Sequence, residues 1–196
     1  MIVGVRHAQV WNPEGVVYAR LPGFRLSDQG LREAAALGGS LRAAPVRAVY
    51  ASPLERARET AEILAEPHGL SVAVDDRLVE WAFWVRWQGL PWARIRERHP
   101  ELLDLYAEDP ASAKLDEPLR AAADRVMAWA RDAERAVPGG LVLGVTHEAP
   151  LAAALLAGSG SGLGAFHTTH LPHLATVRLS PGPPEVVDLA AWATSC

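Results

Sequence analysis

"MIVGVRH", residues 1–7, is a short β-branched run that ends on an arginine and a histidine. Such residues favour an extended strand, so two strongly polar side chains close what reads as the first strand of a fold. Working outward, "LSDQGLREAAALGGSLRAA" (26–44) has helical spacing of Leu31, Ala35 and Leu41 behind Ser27, which predicts an N-capped helix. "PVRAVYASP" (45–53) reads as a second strand. "SPLERARETAEILAEPHG" (52–69) reads as a helix with Ser52 as N-cap, Pro53 at the first helical position, Glu55 closing a capping box and Gly69 ending it. "SVAVDDRL" (71–78) reads as a third strand. The aromatic, proline-punctuated segment from Glu80 to Pro118 is expected to form short helices in a cap-like excursion over the sheet edge. A long helix follows, with Leu119, Ala123, Val126, Ala130, Ala133 and Val137 on one face. "GLVLGVTH" (140–147) then reads as a buried strand and "EAPLAAALLAG" (148–158) as a helix. Two β-like runs, "LATVRLS" and "EVVDLA", flank the turn "PGPP". Strands alternating with helices predict a single α/β domain over 1–196, a three-layer sandwich whose mainly parallel mixed sheet is flanked by helices.

Composition narrows the function. The 196 residues are 49% hydrophobic, enough for one sizeable core. A formal charge of −4, a pI near 6.0 and dispersed basic residues give no electrostatic footprint for nucleic acid. The densest basic run, "RIRERH" (94–99), reads as a solvated helix face. Cys196 is the lone cysteine, which removes disulfide frameworks and cysteine metal clusters and fits a reducing cytoplasm. Neither a signal-peptide pattern nor an apolar run of membrane-spanning length is present, so a soluble, unprocessed protein is expected. The tryptophans permit a homodimer without demanding one.

In open α/β sheets, ligands bind beyond the C-terminal ends of the strands. Arg6 and His7 close the first strand, Ser52 and Arg56 follow the second, and His147 closes "LVLGVTH". Two histidines, two arginines and helix N-termini around one point would hold a dianionic phosphate, and a histidine nitrogen there can attack phosphorus. "HTTHLPH" (167–173) spaces three histidines, but no carboxylate or cysteine accompanies them at ligand spacing, so it reads as a polar loop rather than a metal site. "GSGSGLGA" (158–165) follows a helix, where a dinucleotide fingerprint must follow a strand, and reads as a loop.

At these residues the chain resembles the phosphoglycerate mutase-like branch of the histidine phosphatase superfamily. "VRHAQ", "LPGFRLSDQGLREA", "VYASPLERARETAEIL", "RLVEWAFWVRWQGL" and "LVLGVTHEAPLAAAL" stand in that family's order and at about its spacing. The resemblance implies that His7 is the phosphorylated nucleophile, that Arg6 and Arg56 bind the phosphoryl group, and that His147 donates a hydrogen bond to it. It places the general acid at Glu80, whose pKa the rings of Trp81, Phe83 and Trp84 would raise. Asn12 is carried over as a further phosphate ligand, one position closer to the histidine than is usual. Ala8, Val10, Trp84 and Glu148 also depart from the family pattern. The implied activity is a phosphomonoesterase acting on a small organic phosphate through phosphohistidine, with no cofactor and no metal. A cofactor-dependent phosphoglycerate mutase is the alternative enzyme, and a non-catalytic phosphate-binding or interaction module the alternative of another class. The aromatic group Trp81, Phe83, Trp84, Trp87 and Trp92 is expected mainly to pack the cap, with a pocket for a bulky organic phosphate as the other reading.

Overall fold

A computed structural model describes residues 1–109 and 116–194. In chain order the elements are β1 (Ile2–Arg6), α1 (Asp28–Ser40), β2 (Val46–Ala51), α2 (Glu55–Ala65), β3 (Val72–Val74), α3 (Ile95–Arg98), α4 (Pro100–Glu108), α5 (Leu119–Ala136), β4 (Leu141–Thr146), α6 (Glu148–Ser159), β5 (Thr176–Ser180), β6 (Glu185–Val187) and α7 (Leu189–Thr194). The sheet order is β3-β2-β4-β1-β5-β6. The first four strands run parallel, and β5 and β6 complete the mixed sheet by antiparallel pairing.

Side chains alternate across the central strands. Val3 and Val5 of β1 and Leu141, Leu143 and Val145 of β4 pack with α2 residues Ala57, Ala61 and Leu64. Ile2 and Val142 face the opposite layer, where α5 and α6 supply Val126, Trp129, Leu151 and their neighbours. Both faces are therefore covered, as parallel strands require. Gly144 of β4 admits the Trp129 ring, since a Cβ there would sit 2.2 Å from the indole. The α5 face expected from spacing is buried from Leu119 to Ala133 and is widened by Ala122 and Trp129.

Four local expectations need correction. In α1, Ser27 does cap the helix through Gly30 N–H, but Leu31 is exposed and the buried face is Gly30, Ala34 and Gly38. Close approach set that choice: a Cβ on Gly30 would lie 2.2 Å from the Gln9 carbonyl oxygen, so the small residues face inward. In α2 the N-cap is Leu54, with no side-chain cap bond, and the Ser52 hydroxyl is engaged elsewhere. Finally, the third strand shrinks to three residues, and "DLA" opens the short helix α7 instead of continuing β6.

The excursion after Glu80 holds single turns at Ala82–Trp87 and Trp92–Arg94, then α3 and α4; residues 110–115 of it lie outside the described residues. It packs into the core shared with α5 and α6. Glu117 ties it down by accepting from Ala82 N–H (2.9 Å) and Arg125 Nε (2.8 Å), while its carbonyl accepts from the Trp81 indole (2.7 Å). No helix among the described residues is long and apolar enough to cross a membrane.

Candidate active site

The parallel register of β1, β4 and β2 brings Arg6, His7, Ser52 and His147 to one end of the sheet, because all three strands stop at the same level there. Arg56 joins them from the first turn of α2. It is 1% exposed, so its charge is satisfied within the protein. Its Nε donates to His7 Nε2 (3.2 Å), and its Nη2 donates to His147 Nδ1 (3.1 Å) and to the Ala19 carbonyl (2.6 Å). The guanidinium carbon also lies 4.7 Å from the centre of the Tyr18 ring. Ala19 adopts φ +33°, a left-handed conformation that few non-glycine residues take, and its carbonyl is thereby offered to Arg56. The neighbouring decoy, Arg58, is half-exposed and pairs with Glu62.

These bonds assign both imidazole tautomers. His7 Nε2 accepts from Arg56, so the proton resides on Nδ1, which donates to the Ala8 carbonyl at 2.8 Å. His147 Nδ1 accepts from Arg56, so Nε2 carries the proton and donates to Ser52 Oγ at 2.8 Å. The two rings lie 5.2 Å apart. Burial, reinforced by Arg56, holds both histidines well below the ordinary imidazole range. Both are neutral at pH 7, and His7 turns an unprotonated nitrogen toward the buried guanidinium. Thr60, one turn beyond Arg56, accepts from Ala8 N–H (3.1 Å) and donates to the Arg56 carbonyl (2.7 Å), locking β1's end to α2.

Arg6, Glu80 and His7 share the wall of a cavity of about 250 Å³ with Tyr18, Glu148 and several aromatic rings. Arg6 Nη1 donates to the Leu171 carbonyl and pairs with Glu148 Oε2 at 3.0 Å, whereas its buried Nε has no hydrogen-bond partner. A buried donor left open in this way suits an anion. Desolvation raises the Glu80 pKa, and this outweighs the opposing pull of Arg56 and the hydrogen bond from Trp81 N–H (2.7 Å). Arg20 grips the Glu80 carbonyl through Nε and Nη2 (3.0 and 2.6 Å), fixing the backbone from which the carboxyl projects.

Of the six residues singled out in the sequence, Arg6, His7 and Glu80 line this cavity, and Arg56, bonded to both His7 and His147, joins those two histidines beside it. Asn12 does not join them. Its amide donates to the Val16 carbonyl and accepts from Val16 N–H (2.9 and 3.1 Å), closing a local turn, and it lines a separate cleft beside Trp11 and Ser27. The aromatic group divides: Trp81, Phe83 and Trp87 are fully buried, whereas Trp84 and Trp92 reach the cavity. No sequence pattern pointed to Tyr18, Ala19, Tyr106 or Phe166, which come from a loop, α4 and the single turn Leu163–Thr168. The Ser52 contact was masked by a plausible capping role. Of the histidine loop, His173 packs 5.7 Å from the His7 ring, and among the described residues no group of three or more His, Cys, Asp or Glu side chains is placed to hold a metal.

The chain is similar to several known proteins. A protein of Mycobacterium tuberculosis is 50% identical over 78 residues, 40% of this chain and 39% of its own length. Phosphoserine phosphatase 1 of Hydrogenobacter thermophilus is 30% identical over 168 residues, covering 84% of this chain and 79% of that protein. The chain spans less than half the length of the first curated relatives it matches. Among solved structures, a mycobacterial glucosyl-3-phosphoglycerate phosphatase with VO3 superposes with a TM-score of 0.81 and 25% identity, over 95% of this chain and 96% of that one. The histidine phosphatase superfamily (branch 1) profile matches residues 2–192. With a match that begins at the first residue of β1 and ends inside α7, the chain belongs to the histidine phosphatase superfamily.

Proposed function

We propose that the protein is a phosphomonoesterase that transfers the phosphoryl group of a small organic phosphate to His7 and then to water. The observation that carries this reading is the neutral His7, whose unprotonated Nε2 faces Arg56 beside the cavity shared by Arg6 and Glu80. In the first step Nε2 attacks phosphorus, the N–P bond forms and the ester O–P bond breaks. Glu80, whose pKa desolvation raises, gives its proton to the departing alkoxide. Arg6 and Arg56 neutralise charge on the phosphoryl oxygens, and His147 donates its Nε2–H to one of them. In the second step Glu80 takes a proton from water, oxygen attacks the phosphohistidine, the N–P bond breaks and inorganic phosphate leaves. The relatives named as phosphatases support hydrolysis over mutase chemistry.

Phosphate release from p-nitrophenyl phosphate, measured with EDTA present, tests the reading. Turnover is expected to survive the chelator and to vanish in His7→Ala, with labelling quenched in alkaline detergent, where an N–P bond survives, trapping phosphate on the wild-type protein alone. Turnover that persists in His7→Ala overturns the nucleophile assignment.

A further inference from the structure

The cavity extends beyond what a phosphate group fills, and its outer wall has no part in the chemistry above. Trp84, Trp92, Tyr106 and Phe166 line it. Trp84 lies 5.2 Å from Trp92 at 70° and 5.5 Å from Tyr106 at 68°, and Tyr106 lies 6.2 Å from Phe166 at 84°. A flat ligand is held best between parallel faces. Rings meeting near right angles instead offer a compact group several faces and edges at once, and each face carries the negative lobe of a ring quadrupole. That geometry suits a small cation.

Charge points the same way. Among the described residues lining the cavity, Arg6 is the sole lysine or arginine and pairs with Glu148 at the phosphate end, and of the lining histidines His7, His167 and His170 the exposed His170 lies 3.7 Å from the same carboxylate. Glu148 lines the same cavity and is close enough to help burial push the Tyr106 hydroxyl up to about 12. A phosphate dianion arriving at Arg6 is therefore placed beside a carboxylate of like charge. A cation on the leaving group would relieve that repulsion, whereas a carboxylate or second phosphate there would add to it.

Resting on the phosphatase reading, we infer that the substrate is the phosphate monoester of a small alkanol bearing an organic ammonium group, whose cation sits among Trp84, Trp92, Tyr106 and Phe166 with Glu148 as its counter-charge. Phosphocholine and phosphoethanolamine supply quaternary and primary ammonium groups. The neutral control is 3,3-dimethylbutyl phosphate, in which a tert-butyl group replaces trimethylammonium at nearly constant shape.

The measurement is kcat/KM for these three esters and 3-phosphoglycerate at fixed pH and ionic strength. One ammonium ester is expected to exceed the neutral control by at least about tenfold, and which one does so identifies the ammonium class. The ratio is expected to fall toward one in Trp84→Leu and in Glu148→Gln. A wild-type ratio near or below one overturns the inference without any variant, as does a preference for 3-phosphoglycerate. A ratio unchanged in both variants overturns the assignment to this wall. p-Nitrophenyl phosphate run in parallel separates the two levels: if it turns over while the ammonium esters do not, only the cation assignment falls, and if nothing turns over both fall.

Discussion

Removal of water sets the state of both histidines, and the buried positive charge of Arg56 reinforces it. The Arg56 N–H groups reach the nitrogens that would otherwise accept protons, so the imidazoles stay neutral and their rings are held in orientation. Glu80 experiences the opposite balance, because removal of water from its carboxyl outweighs the nearby guanidinium. Its raised pKa keeps the proton to higher pH than an ordinary carboxyl, and the acid form is lost only as pH climbs through that raised value. Glu80→Gln is therefore expected to slow the single-turnover phosphorylation of the protein by an alkyl phosphate ester about a hundredfold and that by p-nitrophenyl phosphate far less, since the aryl oxide needs little protonation and the water-activating step common to both esters lies after this one. The basic limb of the pH–kcat profile for the alkyl ester should also disappear in the variant. Equal losses on both esters would remove Glu80 from the acid role. Asn12 marks the limit of reading single residues: its type suits phosphate, but its amide closes a turn with Val16.

At the scale of elements, the start of α2 shows how one residue can satisfy a local pattern and serve a distant partner. Ser52 completes the sequence signature of a capping box, yet its hydroxyl accepts from His147 across the sheet and lies 3.4 Å from Leu54 N. Helix α2 forms without that cap because Ala57, Ala61 and Leu64 are fixed against β1 and β4. Ser52→Ala should consequently leave helix content unchanged while leaving a buried imidazole N–H without a partner. The expected cost is about 1–3 kcal/mol, read by urea unfolding, together with reduced turnover of p-nitrophenyl phosphate. A stable variant with full activity would show that the contact is dispensable. Helix α1 teaches a related lesson. Its leucine spacing pointed to one face, but Gly30 lies against the Gln9 backbone and Gly38 against that of Ile63, so close steric approach turned the glycine-bearing side inward.

For the whole molecule, the parallel order β2-β4-β1 is what turns three separated motifs into one site. The excursion after Glu80 then closes over it, sharing its rings with the α5–α6 core. Four of the seven tryptophans, Trp81, Trp84, Trp87 and Trp92, lie in that excursion. Because Trp81 and Trp87 are fully buried there, the excursion and the sheet should unfold together. Unfolding followed by tryptophan fluorescence is expected to coincide with that followed by far-UV circular dichroism. An earlier fluorescence transition would make the excursion a separate unit.

The sequence alone determined the alternation of strands and helices, the capped start of α1, the buried face of α5 and the strand-end positions of Arg6, His7 and His147. Each of these rests on periodicity or on chemistry within a few neighbouring residues, which a linear text records directly. Tertiary structure alone decided that Arg56 bonds both histidines, that Ser52 serves His147, that Asn12 stays outside, and that Tyr106 and Phe166 face Glu148 across one cavity. Those outcomes depend on competition among partners brought together from distant parts of the chain, and on which of them burial separates from water.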